Sequence, residues 1–263
     1  MSALLQDRSA KVSFHQALDG ALLWVTLDAP PGNVLDGEMI ASLRRVVGEA
    51  RRSPRLRLLA FIGAGKHFSY GASVEEHRPG QVREMLTAFH ALFRDLIDAD
   101  LPMAACVRGR CLGGGLELAA FCDRVIVESG ATLGQPEIKL GVFAPVGSLV
   151  LPWRCGPAGG ELLLTGRSVD AEEAAALHLA DRVCAAGEGE EVIERWAREH
   201  LLPLSPSSLR LARRASRLEI HRRLRDGLAE VERLYLDDLM TTRDAAEGIE
   251  AFLDKRPPVW SGA

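Results

Sequence analysis

The sequence predicts an α/β fold, and three observations carry that expectation. Apolar runs rich in β-branched residues recur along the first half, amphipathic helical stripes separate several of them, and the character changes to mostly helix after about residue 157. With 263 residues, 47% of them hydrophobic, the chain can bury a sizeable core as one large domain or one domain plus a smaller element.

Taken in order, the expected strands are Ala21 to Leu27 (ALLWVTL), Leu56 to Ile62 (LRLLAFI), Met103 to Val107 (MAACV) and Arg124 to Val127 (RVIV). Between the first two, Asp36 to Arg52 places Ile40, Leu43, Val47 and Ala50 on one helical stripe. Between the next two, Pro79 to Ala99 does the same with Val82, Met85, Leu86, Phe89, Leu92, Phe93 and Leu96, and Pro79 suits a first helical turn. Strands and helices in that alternation imply partly parallel pairing. Later, SVDAEEAAALHL offers Asp170 as an N-cap with Glu173 three residues on, the spacing of a capping box. The last third is a long amphipathic helix or helix pair whose stripe runs through Leu224, Leu228, Val231 and Tyr235. That stripe must pack on the α/β body or on a neighbouring subunit. No repeat of fixed period is present.

Bulk properties narrow the function. A formal charge of -4 and a pI near 6.0 argue against a general polyanion binder. Seven arginines lie between Arg210 and Arg225, but without aromatic residues interleaved for base stacking they read as a solvated helix face rather than a nucleic-acid surface. The N-terminus, MSALLQDRSAKVSF, lacks the order of a signal peptide, and no window approaches the roughly 20 apolar residues that span a bilayer, so a cytoplasmic protein is expected. Five cysteines without a C-x-x-C pair read as reduced core thiols, and the seven histidines form no H-x-x-x-H cluster, so no metal is expected.

Three stretches are richer in chemistry. GAGKHFSYGAS (Gly63 to Ser73) follows a strand, where glycines turn the backbone sharply and expose N–H groups; it fits neither a P-loop nor a dinucleotide fingerprint. An ordinary turn is the alternative. VRGRCLGGGLELAAFCD runs three glycines into a helix, leaving N–H groups where hydrogen bonds and the helix dipole both stabilise negative charge. Glu117 stands in the first turn of that helix, where a carboxylate is favourable with or without a function. ATLGQPEIKLGVFAP (Ala131 to Pro145) reads as a loop wrapping a pocket, because Gln135-Pro136 forces an extended or turn conformation before Glu137.

FSYGAS, then RGRCLGGGLELAAFCD, then LGQPEIKLG together resemble the crotonase superfamily of enoyl-CoA hydratases and isomerases. The resemblance runs from the first strand through LLLTGRSVDAEEAAALHLADRV to the terminal AFLDKRPPVW. It implies a spiral core of ββα units over residues 1–195 and a helical C-terminal region, 196–263, that makes trimers or dimers of trimers. It also implies an oxyanion hole from the backbone N–H groups of Ala72 and Gly114, and catalytic carboxylates at Glu117 and Glu137. Isomerase-type members commonly keep one of those glutamates, so the pair favours hydration. No cofactor is implied, because coenzyme A is part of the acyl-CoA substrate. Lys66, Phe68, Tyr70, Ser73, Phe143 and Lys255 or Arg256 become candidate contacts to that substrate, each with core packing or ordinary surface charge as its alternative; His67 and His77 read as structural.

The chemistry fits the assignment. A thioester carbonyl oxygen turning enolate-like needs donors, each worth about 3 to 4 kcal/mol of barrier, and water needs a base. Glu117 is assigned to activating the water and Glu137 to supplying the α proton, the two titrating as a coupled pair. Two departures bear on the substrate. Ser73 stands where straight-chain hydratases carry aspartate, and IKLGVFAPVGSLVLPWRCG replaces a glycine-rich helix start. With GASVEEH, these look most like the cyclic dienoyl-CoA hydratases, which convert cyclohexa-1,5-diene-1-carbonyl-CoA to 6-hydroxycyclohex-1-ene-1-carbonyl-CoA in anaerobic benzoyl-CoA degradation. A straight-chain enoyl-CoA hydratase or isomerase, and a non-catalytic RNA-binding protein of the same fold, are the alternatives.

Overall fold

The computed structural model describes residues 11–263; the N-terminal segment read above for targeting signals lies mostly outside them. A six-stranded sheet runs in the order β1-β2-β3-β4-β6-β9. β1 (Val12–Ala17) pairs antiparallel with β2 (Leu22–Leu27), and the remaining neighbours, β3 (Leu58–Gly63), β4 (Met103–Val107), β6 (Arg124–Glu128) and β9 (Arg182–Cys184), pair in parallel. A smaller sheet joins β5 (Arg110–Leu112), β7 (Thr132–Gly134) and β8 (Ser168–Asp170).

The continuous apolar runs follow from burial on both faces. Leu23, Val25, Leu59, Phe61, Met103 and Ala105 face a core shared with α1 (Gly37–Arg52) and α2 (Val82–Ala99). The alternate residues Leu22, Trp24, Leu58, Ala60, Ala104 and Ile126 face Val192, Ile193 and Ala197 of a helix at Gly189–His200. Asp36 caps α1 by accepting from the Met39 N–H at 3.0 Å. α2 starts at Val82 rather than at Pro79, because Gly80 adopts φ +92° and cannot continue a helix.

α3 (Gly114–Phe121) is buried at every position, and behind it come α4 (Pro145–Cys155), α5 (Pro157–Thr165) and α6 (Ala171–Ala176). Asp170 caps α6 through the Glu173 N–H at 2.8 Å, but the Glu173 side chain pairs with Arg167 instead of returning to the cap, so only half of the capping box forms. The Gly189–His200 helix is α7. The long C-terminal pattern is a pair, α8 (Pro206–Ser216) and α9 (Leu218–Arg233), continued by a π turn at Leu234–Asp238 and by α10 (Arg243–Leu253). Its stripe packs on the body: α9 lies against α4 and α2, burying Leu224, Leu228 and Tyr235.

The arginines of that segment divide: Arg214, Arg222, Arg223 and Arg225 are exposed, as on a solvated face, and the others are not. Arg213 and Arg217 are buried and both grip Asp123, at 2.7 and 2.6 Å. Arg210 donates to the carbonyls of Ala99 and Ser53, and Arg225 pairs with Asp98. Arg210, Arg213 and Arg217 thus dock the helices onto the body. All five cysteines are free, and Cys106, Cys111 and Cys122 are buried. Among the described residues no helix is long and apolar enough to cross a membrane, and no three His, Cys, Asp or Glu side chains gather as a metal site.

Candidate active site

The loop after β3 and the N-terminus of α3 meet. Gly71 takes φ +98° and a side chain there would collide with the Leu112 carbonyl, at 2.8 Å from its Cβ, so only glycine lets the two backbones close. The closure brings two amides together: a Cβ on Gly114 would lie 3.2 Å from the Ala72 nitrogen, and one on Gly71 would lie 3.1 Å from the Gly114 nitrogen. Neither N–H has a backbone or side-chain acceptor among the described residues. Two unsatisfied donors at the start of a buried helix can hold an oxygen that gains negative charge.

Glu117 lies one turn further along α3 and is 3% exposed. Its Oε1 accepts from the Gly147 N–H, in the first turn of α4. Burial, and next the charge of Glu137, push its carboxyl well above the usual range; the Gly147 and Val146 amides oppose that shift. Glu137 stands in a 3-10 turn, Pro136–Leu140, after β7. Burial raises its carboxyl too, opposed by its own backbone N–H and by the Gln135 amide, which donates to Oε1 at 3.1 Å. Glu137 Oε2 has no partner. No cation pairs with either carboxylate among the described residues.

Both carboxylates belong to one small volume. A Cβ on Gly147 would sit 3.2 Å from Glu117 Oε1 and 3.4 Å from Gln135 Nε2, while one on Gly113 would sit 2.5 Å from Glu137 Oε1. Gly113, at φ +51°, is therefore glycine for two reasons, conformation and room for Glu137. A cavity of about 570 Å³ opens onto this corner, lined by Ala72, Gly113, Glu137, His77 and Val142, with Gly248, Phe252 and Arg256 on its C-terminal side. Its size is that of a site for one organic ligand.

The remaining expected residues divide. Tyr70 lines the cavity, its ring under the Arg110 guanidinium at 5.9 Å and tilted against His67 at 5.1 Å. The Phe68 ring is wholly buried in the core and does not line the cavity. Ser73 does not line the cavity; its carbonyl accepts from His77 Nδ1 at 2.7 Å and so fixes a cavity-wall ring. Burial, which disfavours the charged ring, lowers the His77 pKa, opposed by the hydrogen bond to the Ser73 carbonyl. Phe143 packs edge-on against Tyr235 at 5.1 Å, behind the cavity wall. Lys66 and Lys255 lie off the lining, and of the terminal basic pair it is Arg256 that faces the cavity, held in a fork by Glu247 at 2.6 and 2.9 Å.

Sequence reading missed Gln135 as a polar partner, Arg110 and Lys139 on the cavity wall, and Tyr235 beside it. The one available signal was Tyr235 itself, a hydroxyl-bearing residue on a stripe otherwise made of leucine and valine.

Known proteins resemble the chain over nearly its whole length. A family model described as enoyl-CoA hydratase/isomerase matches residues 18–263. Cyclohexa-1,5-dienecarbonyl-CoA hydratase of Thauera aromatica is 45% identical over 97% of this chain and 99% of its own length. Carnitinyl-CoA dehydratase of Salmonella typhi is 30% identical over 95% and 98%. Among solved structures, an enoyl-CoA hydratase from Bacillus anthracis superposes with a TM-score of 0.76 at 28% identity, covering 96% of this chain and all of that one. Fold, glycine turns and paired glutamates converge on one conclusion: the chain belongs to the enoyl-CoA hydratase/isomerase family, as an enzyme of hydro-lyase type.

Proposed function

We propose that the protein adds water to a cyclic conjugated dienoyl-CoA, cyclohexa-1,5-diene-1-carbonyl-CoA, giving 6-hydroxycyclohex-1-ene-1-carbonyl-CoA. The observation that carries hydration is the pair of carboxylates, Glu117 buried and Glu137 partly buried, with no cation on either among the described residues and two unsatisfied amides beside them. The ring is supported by the 45% identity to a hydratase of that name.

In this reading the thioester oxygen sits between the Ala72 and Gly114 N–H groups, which stabilise it as electrons move onto it. Glu117, held by the α4 amides, takes a proton from water as the oxygen bonds to the β carbon. Glu137 delivers a proton to carbon. On a straight chain that carbon is the α position. On the ring, retention of a conjugated double bond in the product requires it to be the far end of the dienolate. No electrons are exchanged with an external acceptor, so the reaction needs no cofactor beyond the coenzyme A carried by the substrate. Such an enzyme works in the cytoplasm, and the exposed apolar Leu204, Leu211, Leu218 and Phe252 fit assembly into trimers or dimers of trimers.

Hydration of the cyclic dienoyl-CoA and of crotonyl-CoA, measured side by side, tests the proposal. The ring substrate is expected to have the higher kcat/KM. Faster turnover of crotonyl-CoA would overturn the ring and leave a straight-chain hydratase.

A further inference from the structure

Tyr235 is wholly buried, and its hydroxyl has no hydrogen-bond partner among the described residues. An orphaned phenol in a core is uncommon, because leaving the O–H unsatisfied costs about 1 to 3 kcal/mol. Its surroundings are not those of a random core position. The ring touches His77, which lines the cavity, at 6.4 Å, and Phe143, six residues past Glu137, at 5.1 Å. Two more buried polar atoms without a partner, Gln135 Oε1 and Glu137 Oε2, belong to the same corner. Burial, and next the charges of Glu137 and Glu117, raise the phenol's pKa and keep its proton on. Tyr235 stands on the π turn that ends α9, a local distortion that re-aims a side chain and recurs at functional sites.

We propose that Tyr235 is a further catalytic residue: its O–H donates a hydrogen bond to the oxygen of the reacting water, and to the same oxygen once it is the hydroxyl of the product. This rests on the hydratase reading above. The phenol keeps its proton throughout; the water's proton goes to Glu117, the new bond is carbon–oxygen, and the carbon-bound proton comes from Glu137. Tyr235 supplies the third contact that fixes where the oxygen stands between the two carboxylates. The donor would come from the C-terminal region, so the last 68 residues would complete the reaction centre within one chain.

Tyr235→Phe in the full-length enzyme removes one oxygen atom and no observed hydrogen bond. Hydration kcat is expected to fall about 10- to 100-fold with KM within about twofold, while Tm stays level or rises because no partner is orphaned. A second measurement does not need turnover: calorimetric affinity for a β-hydroxyacyl-CoA against the saturated acyl-CoA lacking the hydroxyl. The variant should lose about 5- to 10-fold of the wild-type preference for the hydroxylated ligand. An unchanged kcat together with an unchanged preference overturns the assignment, as does a fall in Tm with kcat intact, which marks a structural phenol. Should the wild type hydrate no acyl-CoA, the hydratase reading fails by itself, and the affinity comparison still decides on Tyr235.

Discussion

The two ends of α3 hold carboxylates in opposite ways. At the C-terminal end, Asp123 receives Arg213 Nε and the Met103 N–H, each at 2.7 Å, and Arg217 Nε at 2.6 Å. The last carbonyls of the helix are satisfied as well: Arg217 donates to Phe121 O at 2.7 Å, and Arg154 to Cys122 O at 3.0 Å and Ala120 O at 3.3 Å. Cations at that end also oppose the negative pole of the helix. At the N-terminal end, Glu117 has backbone amides but no cation, and the Gly114 N–H has no acceptor among the described residues. One end is finished by the protein; the other keeps open donors and an unpaired carboxylate among the described residues. Buried polar groups are normally satisfied, so an unsatisfied end points to function and a satisfied one to stability.

The largest expected effect breaks the functional end. Glu117→Gln or Glu137→Gln keeps shape and hydrogen-bonding capacity but removes the proton carrier, and each should lower kcat about 10²- to 10⁴-fold with Tm maintained. If the two carboxylates act as a unit, as the proposed mechanism has them, the double variant should be little worse than the worse single one. Steady-state hydration with a melting curve on the same samples checks this, and a rate within tenfold of wild type would contradict it.

Breaking the structural end should do the reverse. Asp123→Ala strands two buried guanidinium groups and the Met103 N–H, which costs about 3 to 5 kcal/mol in denaturant unfolding. Residual folded enzyme should keep its kcat, since Asp123 is absent from the cavity wall. A cost below 1 kcal/mol would mean that the arginines find other partners.

The same contrast explains what the sequence reveals. Strands β3 and β4 are legible because every position is apolar, the pattern of a sheet covered on both faces. Strands β5, β7, β8 and β9 have three residues each, too few to make a period, and only their neighbours define them. Glu117 and Glu137 can be picked out because glycine and proline mark their turns. Arg213 and Arg217 cannot, since arginines at those helical spacings look alike on a solvated face and against a half-buried aspartate 90 or more residues away. Tyr235 reads as one more member of an apolar stripe; its unsatisfied hydroxyl exists only once α9 is laid over α4.

The smallest effect is also the one that links the two ends most directly, because it measures the strain of leaving Glu117 without a cation. Its carboxyl is raised in the folded state, by burial first and by Glu137 second, so between the unfolded carboxyl range near pH 4.3 and the raised folded value the native protein binds more protons than the unfolded chain. Stability from this group is therefore full in acid and is lost as the pH climbs through that window. Each unit of upward shift is worth about 1.4 kcal/mol. Glu117→Gln cannot ionise and escapes the loss, so its stability relative to wild type should grow from about pH 5 to about pH 8 by roughly 1 kcal/mol or more. Asp123→Asn offers the contrast: at the paired end, neutralising the side chain should be destabilising. Parallel urea titrations of wild type and Glu117→Gln across that pH range read the slope, and an advantage that is flat with pH would mean that the carboxylate is compensated after all.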